Sequence, residues 1–415
     1  MAITNYMRPA LFTPAFNQQI FESTSNQIAV TDFIYRVVAT DLITGEIQTF
    51  PIKKYPSATG QMVWNAQVFT EQFVKHYVPN NEYGFKVCTD ALRKIRVNVG
   101  EYYSAAYTSG TNYDYYVWNG VRRALDWTTF DYTDFVYTNT EPFTYLFSGS
   151  AESGYKMPRG YTYSDKSLYL YVLANVTNTL ETLRVKTYDS GGTLLGTSDI
   201  ANPYYNSATY TDKYFCIGVG HKDLTQISSG LVTGTYPIIT SSVAYYELYD
   251  VNTSVGSPPA GTEEPLRRID VLCESKHDVF TLHYVANSGN FETIHFPKVS
   301  EHTEEATKTY VGVNPNKLTG NDYSYTKFSD WETCIAASGK EAYLLNTDWM
   351  TNAQAAIHRE LITSPRVYID FGSTIGLVPC KVTDTRAVMN KAWNAKNFAN
   401  TITVIPSFTN RYQNG

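Results

Sequence analysis

Histidine offers the best candidate chemistry in this sequence, because four of the seven histidines lie within one short stretch of the chain. They are His277, His283, His295 and His302. His283 and His295 fall on the two strands of a predicted hairpin whose turn is residues 287–290. A metal site here would need that offset pair and a third ligand such as Asp278 or Glu292. Solvent-facing histidines on strands explain the same residues, and we therefore predict that no metal is bound.

Other catalytic patterns are missing from the sequence. Gly191 and Gly196 have the Gly-x-x-x-x-Gly spacing, but Thr197 follows, where a P-loop requires Lys. Neither a nucleophile elbow nor a zinc-protease helix motif occurs. The acidic pairs Glu263-Glu264 and Glu304-Glu305 lie in polar segments, where solvated carboxylates are expected rather than an acid with a raised pKa. We predict that the chain is not an enzyme and takes no cofactor.

Tyrosine dominates the composition, with 35 Tyr against 33 Lys and Arg combined, and only 17% of the residues are charged. Tyr forms strands well and is also favoured at protein interfaces, so the composition fits either a sheet surface or a surface that packs on neighbours. The net charge of −6 and the small size of every basic cluster argue against binding to a phosphate backbone. Sequence-specific binding to nucleic acid is therefore not expected.

The five cysteines are widely spaced and form no CxxC pair, which predicts buried free thiols in a chain that folds in a reducing compartment. The first residues lack a basic region followed by an apolar core, so no signal peptide is expected. No apolar run reaches the length of a membrane span.

Alternating apolar and polar residues, separated by turn signals, predict a chain made mostly of strands. The predicted strands are residues 32–40, 46–50, 91–102, 167–173, 182–188, 214–219, 242–251, 267–273, 279–286, 291–300, 366–371, 377–383 and 401–408. A short helix is predicted within residues 65–77 and a longer one near residues 348–363, where Ser364-Pro365 ends it.

The predicted fold class is mainly β, with two or three β-sandwich or jelly-roll-like domains and a short helix in the C-terminal domain. Residues 1–145 are predicted to form an N-terminal arm and a β domain, and residues 146–251 a middle β-sandwich. Residues 252–265 are rich in Gly and Pro and predict a linker. Residues 266–415 are predicted to form a β-rich C-terminal domain that carries the helix near residues 348–363.

The arm of residues 1–20 has no helical period, and we expect that it is unable to bury its large apolar side chains on itself. It is predicted to dock on a neighbouring subunit, and deletion of residues 2–20 is expected to leave a folded chain that no longer assembles. The predicted interface residues are Phe12, Phe16, Phe21, Tyr115, Tyr116 and Trp118. For the last three, a place in the core of their own domain is the alternative explanation.

Four blocks of sequence resemble virion structural proteins of tailed phages of Bacteroidetes hosts, including the crAss-like group. The blocks are residues 14–21, 117–127, 283–296 and 361–369. In that family the third block runs through an Asn-x-x-Gly turn, whereas this chain has the shorter turn Asn287-Ser288-Gly289. The blocks occur in order along the whole chain, and the middle third matches only in its general β character.

The resemblance implies a tail or neck component that assembles as a homo-oligomeric ring below the portal, twelvefold if it follows the portal's symmetry. Its partners would be other tail, neck or portal proteins of the virion, and it would be made and folded in the cytoplasm of the host bacterium. The alternative is an adhesin of the tail fibre or tail tip that binds a surface glycan of the host. A tail-associated glycan hydrolase is a further alternative.

Overall fold

A computed structural model describes residues 3–54, 60–79, 83–122, 131–134, 136–137, 159–174, 180–205, 213–251, 266–272, 276–312, 317–319, 322–324, 332–348, 359–372, 375–384, 401–408 and 410–411. The fold is mainly β, as predicted, with several multi-stranded sheets and short helices. The chain divides into two compact units. Unit 1 comprises residues 1–274 and 284–293, and unit 2 comprises residues 275–283 and 294–415.

The first nineteen strands are, in chain order, β1 (Ile3–Met7), β2 (Phe12–Pro14), β3 (Ile20–Ser25), β4 (Ile34–Asp41), β5 (Ile47–Ile52), β6 (Met62–Asn65), β7 (Gly84–Val87), β8 (Leu92–Tyr103), β9 (Ala106–Thr108), β10 (Asn112–Trp118), β11 (Val136–Tyr137), β12 (Arg159–Tyr163), β13 (Tyr169–Ala174), β14 (Thr182–Tyr188), β15 (Leu194–Ala201), β16 (Lys213–Gly218), β17 (Val232–Gly234), β18 (Tyr245–Val251) and β19 (Arg267–Leu272). The other ten are β20 (Phe280–Val285), β21 (Phe291–Phe296), β22 (Glu301–Gly312), β23 (Lys317–Thr319), β24 (Asp322–Ser324), β25 (Glu332–Asn346), β26 (Val367–Asp370), β27 (Leu377–Val382), β28 (Thr401–Pro406) and β29 (Asn410–Arg411).

Unit 1 contains two sandwiches. In the first, a sheet of order β1-β3-β6 and a sheet of order β2-β10-β8-β4-β5 contribute to one core. Alternation explains these strands: along β4 every second side chain is buried, which places Tyr35 and Val37 in the core and Arg36 on the other face. Phe21 of β3 and Trp64 of β6 meet that core from the opposite sheet.

The second sandwich joins a sheet of order β11-β13-β16-β7 to a sheet of order β12-β19-β18-β14-β15-β17. Val172, Phe215 and Leu183 are among the side chains of its core, which both sheets share. Three strands of this sandwich lie outside the range 146–251 that was predicted for it, and one of them is β11, which pairs with β13. Strand β7 comes from the predicted N-terminal domain, and β19 lies beyond the predicted linker, yet each pairs with strands of this sandwich. The linker itself, residues 252–265, lies outside the described residues.

Unit 2 is built on a sheet of order β21-β20-β26-β27-β28-β25-β22, in which β29 also pairs with β25. The hairpin β20–β21 connects the two units along the chain, because its residues 284–293 are counted in unit 1. Strands β22 and β25 are by far the longest antiparallel pair of this unit, with 12 and 15 residues. No strand was predicted between residues 301 and 346.

Helices are short. Helix α1 (Gln67–Thr70) lies within the predicted range 65–77, and helix α2 (His221–Gln226) was not predicted. Residues 359–363 are helical and Leu361 is buried, as the predicted apolar stripe requires. The earlier part of that predicted helix, residues 349–358, lies outside the described residues.

Candidate assembly surfaces

The N-terminal segment, residues 3–21, pairs with its own chain. Strand β2 runs parallel to β10, with Phe12 opposite Tyr116, and the amide of Tyr116 donates to the carbonyl of Leu11 at 2.7 Å. The Phe12 side chain is 1% exposed and its ring stacks on that of Tyr116 with centroids 4.9 Å apart. The expectation that this arm is unable to bury its apolar residues on itself is therefore wrong, because β10 provides an open edge for β2.

A buried chain of hydrogen bonds anchors the end of the same segment. The Tyr115 hydroxyl donates to Oε1 of Gln19 at 2.8 Å, and Nε2 of Gln19 donates to Oγ1 of Thr70 at 2.8 Å and to the carbonyl of Ala15 at 3.1 Å. All of these side chains are buried, and burial raises the pKa of Tyr115 well above its ordinary value. Gln19 thus ties the segment to β10 and to helix α1 with its own polar groups satisfied.

Trp118 packs inside unit 1 against the turn after β20. Its Nε1 donates to the carbonyl of Ser288 at 3.2 Å, and its side chain is buried. Gly289 has φ +87°, and a Cβ there would lie 1.6 Å from the carbonyl oxygen of Asn119. Only glycine allows this approach of two backbones. Two of the blocks that carry the phage resemblance, residues 117–127 and 283–296, are therefore in contact through their described residues.

The six predicted interface residues separate sharply by exposure. Phe12, Phe21, Tyr115, Tyr116 and Trp118 are buried, so the alternative of a core position holds for the last three and extends to the other two. Phe16 alone is available, at 41% exposed. The deletion of residues 2–20 would remove Phe12 and Gln19 from the interior, so we no longer expect it to leave a stable fold.

Phe16 lies in a region of the sequence, residues 7–16, that carries several exposed apolar side chains. Met7 and Leu11 of the same segment are exposed, and so is Val68 of helix α1. The side chain of Gln67, next to Val68, donates to the carbonyl of Phe16 at 3.2 Å, which fixes the loop that presents the ring. This region remains the part of the predicted interface that a partner can reach.

The two candidate metal ligands are buried, not solvent-facing as the simpler explanation required. His283 and His295 both lie in unit 2, and Nδ1 of His295 is 3.0 Å from Oγ1 of Thr281 across the hairpin. Asp278, proposed as a third ligand, is exposed. Among the residues that the structure describes, no group of three His, Cys, Asp or Glu side chains could hold a metal ion.

The carboxylate with the most altered environment is Asp223 in helix α2, which the sequence did not single out. Burial raises its pKa to about 7, against hydrogen bonds from the Ser167 hydroxyl at 2.8 Å and the amides of Leu168 at 3.0 Å and Gly220 at 2.9 Å, which lower it. Each of these partners belongs to the loop or the helix start that Asp223 holds together. Two of its three donors are backbone amides and the third is the Ser167 hydroxyl beside Leu168, so these hydrogen bonds give Asp223 a structural role.

The predicted solvation of Glu304 and Glu305 is confirmed, because both lie exposed on β22. Glu263 and Glu264 lie outside the described residues. Three of the cysteines, Cys88, Cys216 and Cys380, are buried free thiols, as expected. Cys334 is half-buried on β25, which the sequence context did not predict. Cys273 lies outside the described residues.

A glycan-binding adhesin needs aromatic rings with an open face, and the second sandwich has one row of surface tyrosines. Tyr245 on β18 stacks on Tyr188 of β14, with ring centroids 4.8 Å apart and 9° between the planes. The guanidinium of Arg268 on β19 lies 3.5 Å from the centroid of the same ring. Since β14 and β19 flank β18 on opposite sides, Tyr245 has both faces covered and offers none to a sugar.

The longest exposed element is the ribbon formed by β22 and β25. Every residue of β22 is exposed, on both faces of the strand. It pairs with β25 from Glu301 opposite Leu344 to Gly312 opposite Glu332, with one bulge after Thr309. Strand β28 pairs with β25 only at residues 343–346, so the remainder of the ribbon extends beyond that support. Twelve residues of strand span about 40 Å.

The ribbon exposes apolar side chains towards its far end. Tyr310 and Val311 on β22 are 53% and 46% exposed, and Ile335 at the bulge is 49% exposed. At the near end His302 stacks on Tyr343 and its Nε2 lies 3.2 Å from the Glu341 carboxylate. The sequence did not predict β22 because both of its faces meet solvent, so no apolar alternation marks it.

Comparison with known proteins adds no identity: no protein-family model matches the chain, and no curated protein is significantly similar to it in sequence. Within the described part of the chain, the helices are all too short or too polar to cross a membrane.

Proposed function

We propose that this chain is a structural component of a bacteriophage virion, a subunit of a homo-oligomeric ring in the tail or neck below the portal. It is made and folded in the cytoplasm of the host bacterium and turns over no substrate. Its partners are further copies of itself and the adjoining tail, neck or portal proteins. The phage resemblance suggests the setting, and the surface of the molecule supports the mode of work.

The ribbon is the observation that carries this proposal. A two-stranded ribbon with both faces in water is marginally stable by itself, and three or more strands or a packed face are normally needed. The far part of this ribbon has neither within the described residues, and it exposes Tyr310, Val311 and Ile335. Large apolar side chains on a long projecting element are typical of a surface that is covered in an assembly.

The remaining surface fits the same role. The exposed Phe16 side chain gives a second apolar contact, on unit 1, for an adjoining tail, neck or portal protein, whereas the contact between copies is assigned to the ribbon. The net charge of −6 suits a ring through which DNA passes, since an acidic wall does not hold phosphates. A lumen lined with Lys and Arg would contradict that last point.

Two measurements test the proposal. Mass spectrometry of purified phage particles should find the chain in constant ratio to the portal protein. The mass of the purified chain, alone and mixed with portal rings, should correspond to a closed multiple of 46.8 kDa in at least the mixture. A chain that is absent from particles, or that stays a monomer in both samples, overturns the proposal.

A glycan array probes the adhesin alternative directly, with the purified chain as the probe. Selective binding to a host surface glycan would contradict a purely structural role. No selective binding is expected, because both faces of the Tyr245 ring are covered, one by Tyr188 and the other by Arg268.

A further inference from the structure

Strand β22 ends the sheet of unit 2 and leaves its outer edge open. It is the last strand in the order, and none of the described strands pairs with its outer side. On an edge strand, alternate residues point their amide and carbonyl groups outward, so about six residues of β22 present unpaired backbone. It contains no proline and no bulge of its own, which are two of the usual protections of a long edge, and the protection it carries is its charged residues Glu301, Glu304, Glu305 and Lys308.

The ribbon has a second open edge on β25. Strand β28 covers residues 343–346 of β25 and β29 covers Ser338 and Gly339, whereas residues 332–337 pair on that side with no strand that the structure describes. In a ring with rotational symmetry, ribbons that point the same way bring β22 of one copy beside β25 of the next. These two strands run antiparallel, because the two strands of each ribbon do.

Charge complementarity favours this pairing. Lys308 lies opposite Ala337 in its own ribbon, and Glu332 lies opposite Gly312, so neither has an oppositely charged neighbour across the pair. Within the described part of the chain neither side chain forms a salt bridge. Both are on the same face, since Lys308 and Gly312 are four residues apart on β22. Across two copies they would meet at the junction of the open edges.

We propose that the occupant of the β22 edge is a second copy of this chain, whose β25 residues 332–337 add to it in antiparallel register with Lys308 opposite Glu332. The ribbons of successive copies then form one continuous sheet around the ring. This inference deepens the proposed function and rests on it for the ring symmetry. The same register places Ala306 opposite Cys334 of the next copy, two residues along each strand.

Disulfide trapping tests that register with the native thiol. The variant Ala306→Cys is assembled and mildly oxidised as the full chain, and the products are separated without reductant. Within one ribbon Ala306 lies opposite Gly339, five residues from Cys334, or about 16 Å, whereas a disulfide needs Cα atoms within about 7 Å. Any bond to Cys334 must therefore join two copies, and a ladder of dimers, trimers and longer products is expected.

Four controls make the result specific. The wild-type chain and the variant Cys334→Ser alone should give no ladder. The variant Tyr310→Cys places a thiol opposite Cys334 in its own ribbon, so it should give an internal disulfide and no ladder. The double variant Ala306→Cys with Cys334→Ser should give no product. Dimers and nothing longer from that double variant would show β22 paired with β22 and overturn the proposal.

Charge reversal gives a second readout. Lys308→Glu should raise the concentration needed for assembly about fivefold, because like charges then face each other at a solvent-exposed pair. Adding Glu332→Lys should restore assembly. An unchanged assembly in Lys308→Glu, or no rescue in the double variant, contradicts the register.

The outcomes separate this inference from the proposed function. A ring in particles that gives no Ala306→Cys ladder overturns the strand pairing and leaves the ring proposal in place. A ladder from a chain that is absent from purified phage particles supports the pairing and overturns the virion role.

Discussion

The N-terminal segment and the ribbon contrast in a way that reverses what their compositions suggest. The segment has Phe and Pro between polar residues and was expected to project onto a neighbour, yet Phe12 is buried against Tyr116 of the same chain. The ribbon consists mostly of Thr, Glu, Ala and Lys, and no strand was predicted for it. It nevertheless projects, with every residue of β22 exposed.

The contrast shows that aromatic residues indicate which parts of a chain become buried, but not whether the same chain or another subunit covers them. Phe12 and Phe21 find cores in their own unit because β10 and β6 provide places for the segment beside them. The ribbon is marked instead by its backbone, because β22 is a long edge strand whose outward-pointing amides and carbonyls have no partner among the described strands. In a Tyr-rich chain, open edges are thus the better guide to assembly surfaces.

The sharpest test of the contrast is a matched pair in the N-terminal segment. Phe12→Ala should lower the free energy of unfolding by about 3–5 kcal/mol, because it removes a buried ring stacked on Tyr116. Phe16→Ala should change it by less than about 0.5 kcal/mol, since that ring is exposed. Denaturant unfolding measures both, and similar values for the two variants would mean that the segment does not hold its place in the isolated chain.

Buried and exposed carboxylates should differ in their contribution to pH dependence. Burial raises the pKa of Asp223 to about 7, so between about pH 4 and pH 7 the folded chain keeps a proton that the unfolded chain has lost. Stability from this group is therefore greatest at the acid end and is lost as the pH rises to about 7, by up to about 4 kcal/mol.

Asp223→Asn should remove that part of the pH dependence, and Glu305→Gln on the exposed ribbon should leave the profile of the wild type unchanged. Urea unfolding at pH 5 and pH 7.5 measures the difference for each protein. A wild-type and an Asp223→Asn profile with the same slope would show that Asp223 is ionised in the folded chain at pH 5.

Much of the fold could be predicted from sequence where strands are half-buried. The range predicted for β14 is the one observed, and β4, β18 and β27 differ from their predictions by a few residues, because one face of each meets a core. Strand β22 was not predicted, because both of its faces meet solvent and its sequence therefore shows no apolar alternation. Strands β7 and β19 pair with strands of the second sandwich although they lie outside the range predicted for it.

The candidate site was predicted less well, because the segments that form it lie far apart in the sequence. The partner of β2 is β10, and the two segments lie far apart in sequence, so nothing local to Phe12 shows that it has a place on its own chain. Phe16 follows the strand that contains Phe12, but its side chain is exposed whereas that of Phe12 is buried. Parallel pairing across such a separation leaves no pattern in a single sequence.

The buried hydrogen bonds that anchor the N-terminal segment should contribute less to the free energy of unfolding than its buried aromatic rings. Tyr115→Phe leaves the ring in place but removes the donor to Oε1 of Gln19, so a buried acceptor loses its partner, at a cost of about 1–3 kcal/mol. Tyr310→Phe on the ribbon is the matched control and should cost less than about 0.5 kcal/mol. Thermal unfolding of both variants suffices, and equal losses would imply that Tyr310 is covered in the isolated chain.

The smallest effect on stability should accompany the largest effect on assembly, at the far end of the ribbon. Tyr310→Ser combined with Val311→Ser should change the free energy of unfolding by at most about 0.5 kcal/mol for each residue, because both side chains are exposed in the single chain. The concentration needed for assembly should rise about tenfold or more, because apolar area that assembly covers is lost.

Sedimentation across a concentration series, paired with denaturant unfolding of the same preparations, measures the two effects together. Phe16→Ala serves as the comparison, since it removes an exposed ring from unit 1 and leaves the ribbon intact. The opposite result, in which the ribbon variant assembles like the wild type and Phe16→Ala does not, would exchange the roles of the two regions. The N-terminal segment would then supply the contact between copies, and the open edge of β22 would bind another protein of the particle.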